Sequence, residues 1–188
     1  MPSHVALLRG INVGGAKLAM SDLRTVLSSL GYADVSTYIQ SGNAVFSADG
    51  TDTAALAAVI EAALDKQLGM RPRVVVLTRD DLAQVIQANP YPEEPNPRAV
   101  HAVFLTAEPS PDQVAAVAAA QQKAAGKGSR DTARYAGRAL FLHTPDGFGR
   151  SELAVQLGRG GGPLTAKGAG TARNWATVTK LLELCDAR

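Results

Sequence analysis

"QANPYPEEPNPR", residues 87–98, decides how this chain is divided. Four prolines in twelve residues lack amide protons and clash with a preceding helical turn, so neither a helix nor a central strand can pass through. The segment reads as a linker, and the same succession of elements is predicted on each side of it.

Upstream, "HVALLRGI" (residues 4–11) is a short aliphatic strand. "MSDLRTVLSSLG" is a helix with Leu23, Val26, Leu27 and Leu30 on one face, Ser21 as its N-cap and Gly31 as its stop. "DVSTYIQSG" and "NAVFSAD" pair as a hairpin meeting at Gly42 and Asn43. "TAALAAVIEAALDKQLG" is an amphipathic helix whose face carries Leu56, Val59, Ile60, Ala63, Leu64 and Leu68. "PRVVVLT" closes the unit as a strand, and Asp80-Asp81 mark a helix start.

Downstream, "AVHAVFLTA" is a strand, and Ser110 with Pro111 announces the helix "SPDQVAAVAAAQQ". "DTARYAG" and "RALFLHTP" form a hairpin about Gly137, and Ser151 caps the short helix "SELAVQLG". "LTAKGAGT" has room for a last strand. A terminal helix beginning at or near Thr171 sets Trp175, Val178, Leu182 and Cys185 on one stripe. The expected fold is therefore α+β, two tandem ferredoxin-like (β-α-β-β-α-β) units with antiparallel sheets and helices on one face. Their expected bounds are 1–86 and 99–188, joined by the linker at 87–98.

Composition narrows the classes. The chain has 188 residues, 46% hydrophobic and 19% charged, as in ordinary globular proteins. A net charge of +2 creates no overall demand for nucleic acid, so any basic surface is local. One cysteine, Cys185, permits neither an internal disulfide nor a cysteine-cage zinc site. The opening "MPSHVALLRG" is a poor signal peptide and no stretch approaches a spanning helix, so the chain reads as cytoplasmic, without membrane association. Oligomeric state is not legible.

"LLRGINVGG" (residues 7–15) raises the question of phosphate. Gly10 and Gly15 have P-loop spacing, but Ala16 precedes Lys17, and Leu18 stands where the magnesium-binding hydroxyl belongs. The dinucleotide fingerprint fails as well, since Gly14 and Gly15 follow Gly10 at the wrong intervals. One reading is a plain β-to-α connection with positive φ at Gly14 and Gly15. The other is an anion site, with Arg9, Asn12 and Lys17 supplying donors near a helix N-terminus. In "TYIQSGN", Tyr38, Gln40, Ser41 and Asn43 gather near one turn, and strand alternation puts Tyr38 and Gln40 on one face. They are either an exposed strand end or part of a sheet face that binds ligand. In "GAGTARNWATVTK", Arg173 in a first helical turn opposes the helix dipole. Arg173, Thr177 and Lys180 then form a polar stripe, facing either solvent or an acidic group that Arg173 and Asn174 recognise.

No catalytic set is legible. His4, His101 and His143 lack ligand spacing, Glu93-Glu94 reads as a solvated linker pair, and no G-x-S-x-G surrounds a serine. Neither a metal nor a cofactor is expected. Tyr38 is the nearest acid–base candidate to the glycine loop, and a poor one.

"LLRGINVGG", "TYIQSGNAVF" and "TARNWATVTKLLEL" resemble the signature blocks of the bacterial DUF1697 family over essentially the whole chain. The resemblance implies two ferredoxin-like units and no particular activity. Its signature residues fall here on Arg9, Gly10, Asn12, Gly14, Gly15, Tyr38, Ser41, Gly42, Asn43, Arg173, Asn174 and Thr177. Ala16 departs from the lysine or asparagine common after the double glycine.

Three expectations follow for these residues. The first is a phosphate-bearing ligand, a nucleotide or nucleic-acid segment, at a cleft between the units, with Arg9 and Arg173 gripping the anion together. The second is an enzyme acting there on a small phosphorylated or acidic metabolite. The third is a purely structural role, with the same residues stapling the units.

Overall fold

The first aliphatic run forms β1 (Ser3–Leu8) in a computed structural model that describes residues 1–12, 17–158 and 170–188. It is followed by α1 (Met20–Ser29), β2 (Ala33–Tyr38), β3 (Asn43–Ser47), α2 (Thr53–Leu68) and β4 (Val74–Thr78). The strands lie in the order β2-β3-β1-β4, every neighbouring pair antiparallel, which is the ferredoxin-like arrangement. α2 is well bounded: the Asp52 carboxylate accepts the Ala55 amide at 2.9 Å, and Gly69 ends it at φ 64°.

Leu8, Leu23, Leu27, Phe46, Ile60 and Leu64 form the core between this sheet and α1 and α2. Phe46 is wholly buried, with Tyr32 and His4 stacked at 4.7 and 5.5 Å. Burial of such a ring contributes about 2–3 kcal/mol, and each aromatic contact about 0.5–1.5 kcal/mol more.

The second unit repeats the plan as β5 (Val100–Phe104), α4 (Pro111–Ala125), β6 (Thr132–Ala136), β7 (Ala139–His143), α5 (Glu152–Leu157) and β8 (Thr171–Asn174). Its order, β6-β7-β5-β8, is the same antiparallel plait. α4 starts in a capping box: Ser110 Oγ accepts the Gln113 amide, and Gln113 Oε1 accepts the Ser110 amide at 2.8 Å. At α5, Ser151 Oγ accepts the Ala154 amide at 2.9 Å while donating to the buried Asp131 carboxylate at 2.8 Å.

Each fourth strand leads directly into another helix, α3 (Arg79–Gln87) and α6 (Trp175–Asp186). Between α3 and β5 the proline-rich segment runs in turns. Three of its amides are taken by side chains two residues back, Tyr91 by Asn89, Asn96 by Glu94 and Arg98 by Asn96, and the Glu94 amide by the Tyr91 carbonyl. One compact unit comprises Met1–Ala83 with Lys180–Arg188, and the other Gln84–Thr179.

Four expectations need correction. α1 starts at Met20 with Ala19 at its N-cap and no capping side chain, so Ser21 lies inside the helix. On α2 only Ile60, Ala63 and Leu64 are buried, while Val59 and Leu68 are exposed, because the helix embeds a narrower stripe than its composition offers. Thr171–Asn174 is strand, paired with β5, and the terminal helix begins four residues later than predicted. Residues 164–169 of the predicted last strand lie outside the described residues. Finally, Val178, Leu181 and Cys185 form the buried stripe of α6, with Trp175 and Leu182 only half-buried.

Candidate functional site

The loop after β1 is held at its neck by one side chain. Asn12 Oδ1 accepts the Leu18 amide at 2.9 Å, while Nδ2 donates to the Leu18 carbonyl at 3.0 Å and to the Gln40 carbonyl at 2.6 Å. The amide thus closes the loop on itself and ties it to the β2–β3 turn. Asn12 does so at φ 56°, a left-handed conformation that asparagine tolerates better than most residues. Gly10 before it sits at φ 69°. Gly14 and Gly15, with Val13 and Ala16, lie outside the described residues.

Two cations flank this neck. Lys17 is exposed. Arg9 is half-buried, its amide bonded to the Arg73 carbonyl at 2.9 Å, and burial lowers the pKa of its guanidinium.

The β2–β3 turn is equally fixed. Leu8 donates its amide to the Gly42 carbonyl at 2.8 Å. Gly42 has φ 75°, and a Cβ there would lie 2.5 Å from Ile11 Cδ1 and 2.9 Å from Leu8 Cβ. Both backbone and space therefore require glycine. Asn43 is fully buried, its Nδ2 donating to the Tyr38 carbonyl at 3.0 Å and to Ser41 Oγ at 2.9 Å. Ile39 is held at φ 50°, rare for a β-branched residue, with its side chain half exposed. Because β2 ends at Tyr38, Gln40 belongs to the turn and does not share a strand face with Tyr38.

The sheet face that points away from α1 and α2 is no open platform either. Val5, Leu7 and Val45 on it are fully buried, and Tyr38 is half-buried at its edge. That geometry differs from the exposed aromatic face of an RNA-recognition sheet.

Arg173, Asn174 and Thr177 belong to the second unit. Arg173 sits in β8 opposite Ala102 and is 8% exposed. One guanidinium nitrogen donates to Thr171 Oγ1 and to the Ala172 carbonyl, both at 2.8 Å. Burial lowers its pKa to about 10, which leaves it charged at neutral pH. Asn174 is the cap of α6, its Oδ1 accepting the Thr177 amide at 2.9 Å. Thr177 is buried, so the predicted polar stripe from Arg173 through Lys180 does not form.

Sequence reasoning also missed a cluster. Glu94, read there as solvated, keeps 18% side-chain exposure and lies 2.6 Å from His143 Nε2. Forty-nine residues separate the pair in a chain with no recognisable spacing to join them. His4 and His101 are strand residues stacked on Phe46 and Phe148. Among the described residues no three His, Cys, Asp or Glu side chains converge on a metal-sized site, and no helix is long and apolar enough to cross a membrane.

Among solved structures, the chain is similar to the conserved bacterial protein SP0830 from Streptococcus pneumoniae, with a TM-score of 0.73 and 22% identity over 98% of each chain. That likeness concerns the fold. An unknown protein from Galdieria sulphuraria aligns over 99% of this chain and 90% of its own, at 13% identity and a TM-score of 0.26. No curated protein matches. The family model described as "Protein of unknown function (DUF1697)" matches residues 1–141, which include the glycine loop and the β2–β3 turn. The chain belongs to the DUF1697 family.

Proposed function

We propose that this protein binds a phosphate-bearing ligand, a nucleotide or a nucleic-acid segment, at the β1–α1 loop of its first unit. The observation that carries the reading is the Asn12 clamp. A connection that merely joins strand to helix has no need of a side chain making three hydrogen bonds from a left-handed backbone. A binding loop benefits from such fixing, because ordering it in advance removes an entropic cost of association. Arg9 and Lys17 stand on either side of Asn12 in the sequence, with Gly14 and Gly15 between them. Ser41, Asn43 and Gly42 support the turn against which the clamp closes.

Arg173, Asn174 and Thr177 are better read as structural. The hydrogen bonds from Arg173 to Thr171 and Ala172, and from the Thr177 amide to Asn174, serve β8 and the start of α6, a role inside the second unit. An enzymatic role for the loop is less well supported, since no general acid or base stands among its described residues.

Titration calorimetry with ATP, tripolyphosphate and a short single-stranded oligonucleotide at low salt tests the proposal. The affinity of the preferred ligand should fall steeply with added salt, and Lys17→Ala should weaken it about tenfold without moving the melting temperature. If none of the three compounds binds or raises the melting temperature at low salt, the reading fails.

A further inference from the structure

The second unit gathers five chemistry-bearing side chains that the loop reading does not use. The Glu94 carboxylate is fixed from two sides, Oε1 by the Asn96 amide at 2.9 Å and Oε2 by His143 Nε2 at 2.6 Å. Those contacts, the Asn96 amide foremost, hold its pKa below the usual carboxylate range. The Tyr91 ring stacks on the imidazole at 5.1 Å, and its hydroxyl lies 2.8 Å from Thr132 Oγ1. Thr132 is the cross-strand partner of His143, so the two side chains share a sheet face. Arg134, two residues along β6 on that face, is exposed with its guanidinium 5.7 Å from the Tyr91 ring centre.

This is the arrangement of a base with its orienting acid. A neutral His143 carries its proton on Nε2, facing the carboxylate, which leaves the Nδ1 lone pair without a hydrogen-bond partner among the described residues. The side chain retains 23% exposure, so solvent reaches the ring. Arg134 has no acidic partner among the described residues and can take an anionic group.

We propose that His143, oriented by Glu94, is the general base of a hydrolytic site for esters that bear an anionic group, with Arg134 holding that group. His143 Nδ1 accepts a proton from a water molecule while the water oxygen bonds to the ester carbonyl carbon. As the tetrahedral intermediate collapses, the bond to the alcohol oxygen breaks and the imidazolium returns its proton to that oxygen. The acid product loses its own proton to solvent, and His143 ends as it began. Glu94 stays ionised throughout, stabilising the imidazolium.

The alternative is that the pair only fastens the proline-rich segment to β7. The full chain is assayed on p-nitrophenyl acetate and on the mono-p-nitrophenyl ester of fumaric acid, whose trans carboxylate cannot reach its own ester carbonyl, against free imidazole at equal concentration. The site predicts hydrolysis of the fumaryl ester about a hundredfold above imidazole. His143→Gln should abolish that excess, and Glu94→Gln should lower it at least tenfold with the melting temperature kept. Arg134→Ala, an exposed change that leaves the fastening contacts of Glu94 and His143 in place, should slow the fumaryl ester about tenfold and spare the acetate. A wild type no faster than imidazole overturns the proposal. So does an unchanged rate in His143→Gln or Glu94→Gln, or an Arg134→Ala effect equal on both esters.

Discussion

Replacing Asn12 by aspartate changes one atom type and inverts the logic of the clamp. Oδ1 can still accept the Leu18 amide, but the donor that served the carbonyls of Leu18 and Gln40 becomes a second acceptor. Two hydrogen bonds at about 0.5–1.5 kcal/mol each are lost, and a carboxylate then faces two carbonyl oxygens in a half-buried setting. The expected cost at pH 7 is about 2–4 kcal/mol. For a chain of this length that corresponds to a fall in melting temperature of roughly 5–15 °C. The cost should depend on pH. The introduced carboxyl is desolvated and meets only acceptors beyond the Leu18 amide, so its folded pKa lies above its unfolded value near 4. A raised acid pKa means that the folded state favours the protonated form, so the deficit shrinks as pH falls through the folded value. Asn12→Ala removes all three hydrogen bonds and adds no charge, so its deficit against wild type should be flat with pH. Thermal melts of the three proteins between pH 7.5 and 4.5 make the comparison. An aspartate variant that melts within a degree of wild type, or one whose deficit does not narrow on acidification, would refute the clamp.

Gly42→Ala should cost about 2–4 kcal/mol, combining a left-handed φ of 75° with a Cβ 2.5 Å from Ile11 Cδ1; a urea midpoint unchanged from wild type would contradict the packing. Burial lowers the pKa of His101 to about 4 from 6.5, so the folded state excludes a proton that the unfolded chain accepts. Its stabilising contribution is complete above pH 6.5 and fades as pH falls toward 4, by at most about 3 kcal/mol, and His101→Leu should flatten the acid limb of a urea-stability profile. Arg173→Ala removes a buried cation together with its bonds to Thr171 and Ala172, and should lower the melting temperature while leaving any nucleotide affinity intact. Lost nucleotide binding with an unmoved melting curve would return Arg173 to the ligand site.

The plait was legible because its signals are local. Aliphatic runs of strand length, Ser110 with Pro111, Ser151 and Gly69 each act within one turn of chain, and the proline cluster lies in the sequence between α3 and β5. The role of Asn12 was not legible, because its partners at Leu18 and Gln40 depend on where a turn 28 residues away is placed. The same holds for Glu94. Beside Glu93 and among prolines it has the composition of a solvated turn, and only the docking of Tyr91 on the β6–β7 hairpin brings His143 to its carboxylate. Tyr38 misled for a related reason, since alternation places a residue on a face without saying whether that face is open.

The misplaced start of the last helix has a physical cause that recurs in the first unit. A helix cap requires an extended backbone and a side chain that accepts an amide two or three residues on. The last residue of a strand already has the extended backbone, so it can serve as strand and cap at once with no intervening loop. Thr78 ends β4 and accepts the Asp81 amide at 3.0 Å, and α3 starts at the next residue. Asn174 ends β8 and accepts the Thr177 amide at 2.9 Å, and α6 starts at the next residue. Thr78 and Asn174 also lie in register opposite His4 and His101, each the second residue of its unit's first strand. No letter-by-letter repeat reveals this correspondence, because a hydroxyl and an amide oxygen cap equally well while sharing no sequence identity. Starting the helix at Thr171 instead removes the four residues that pair with β5 and complete the sheet.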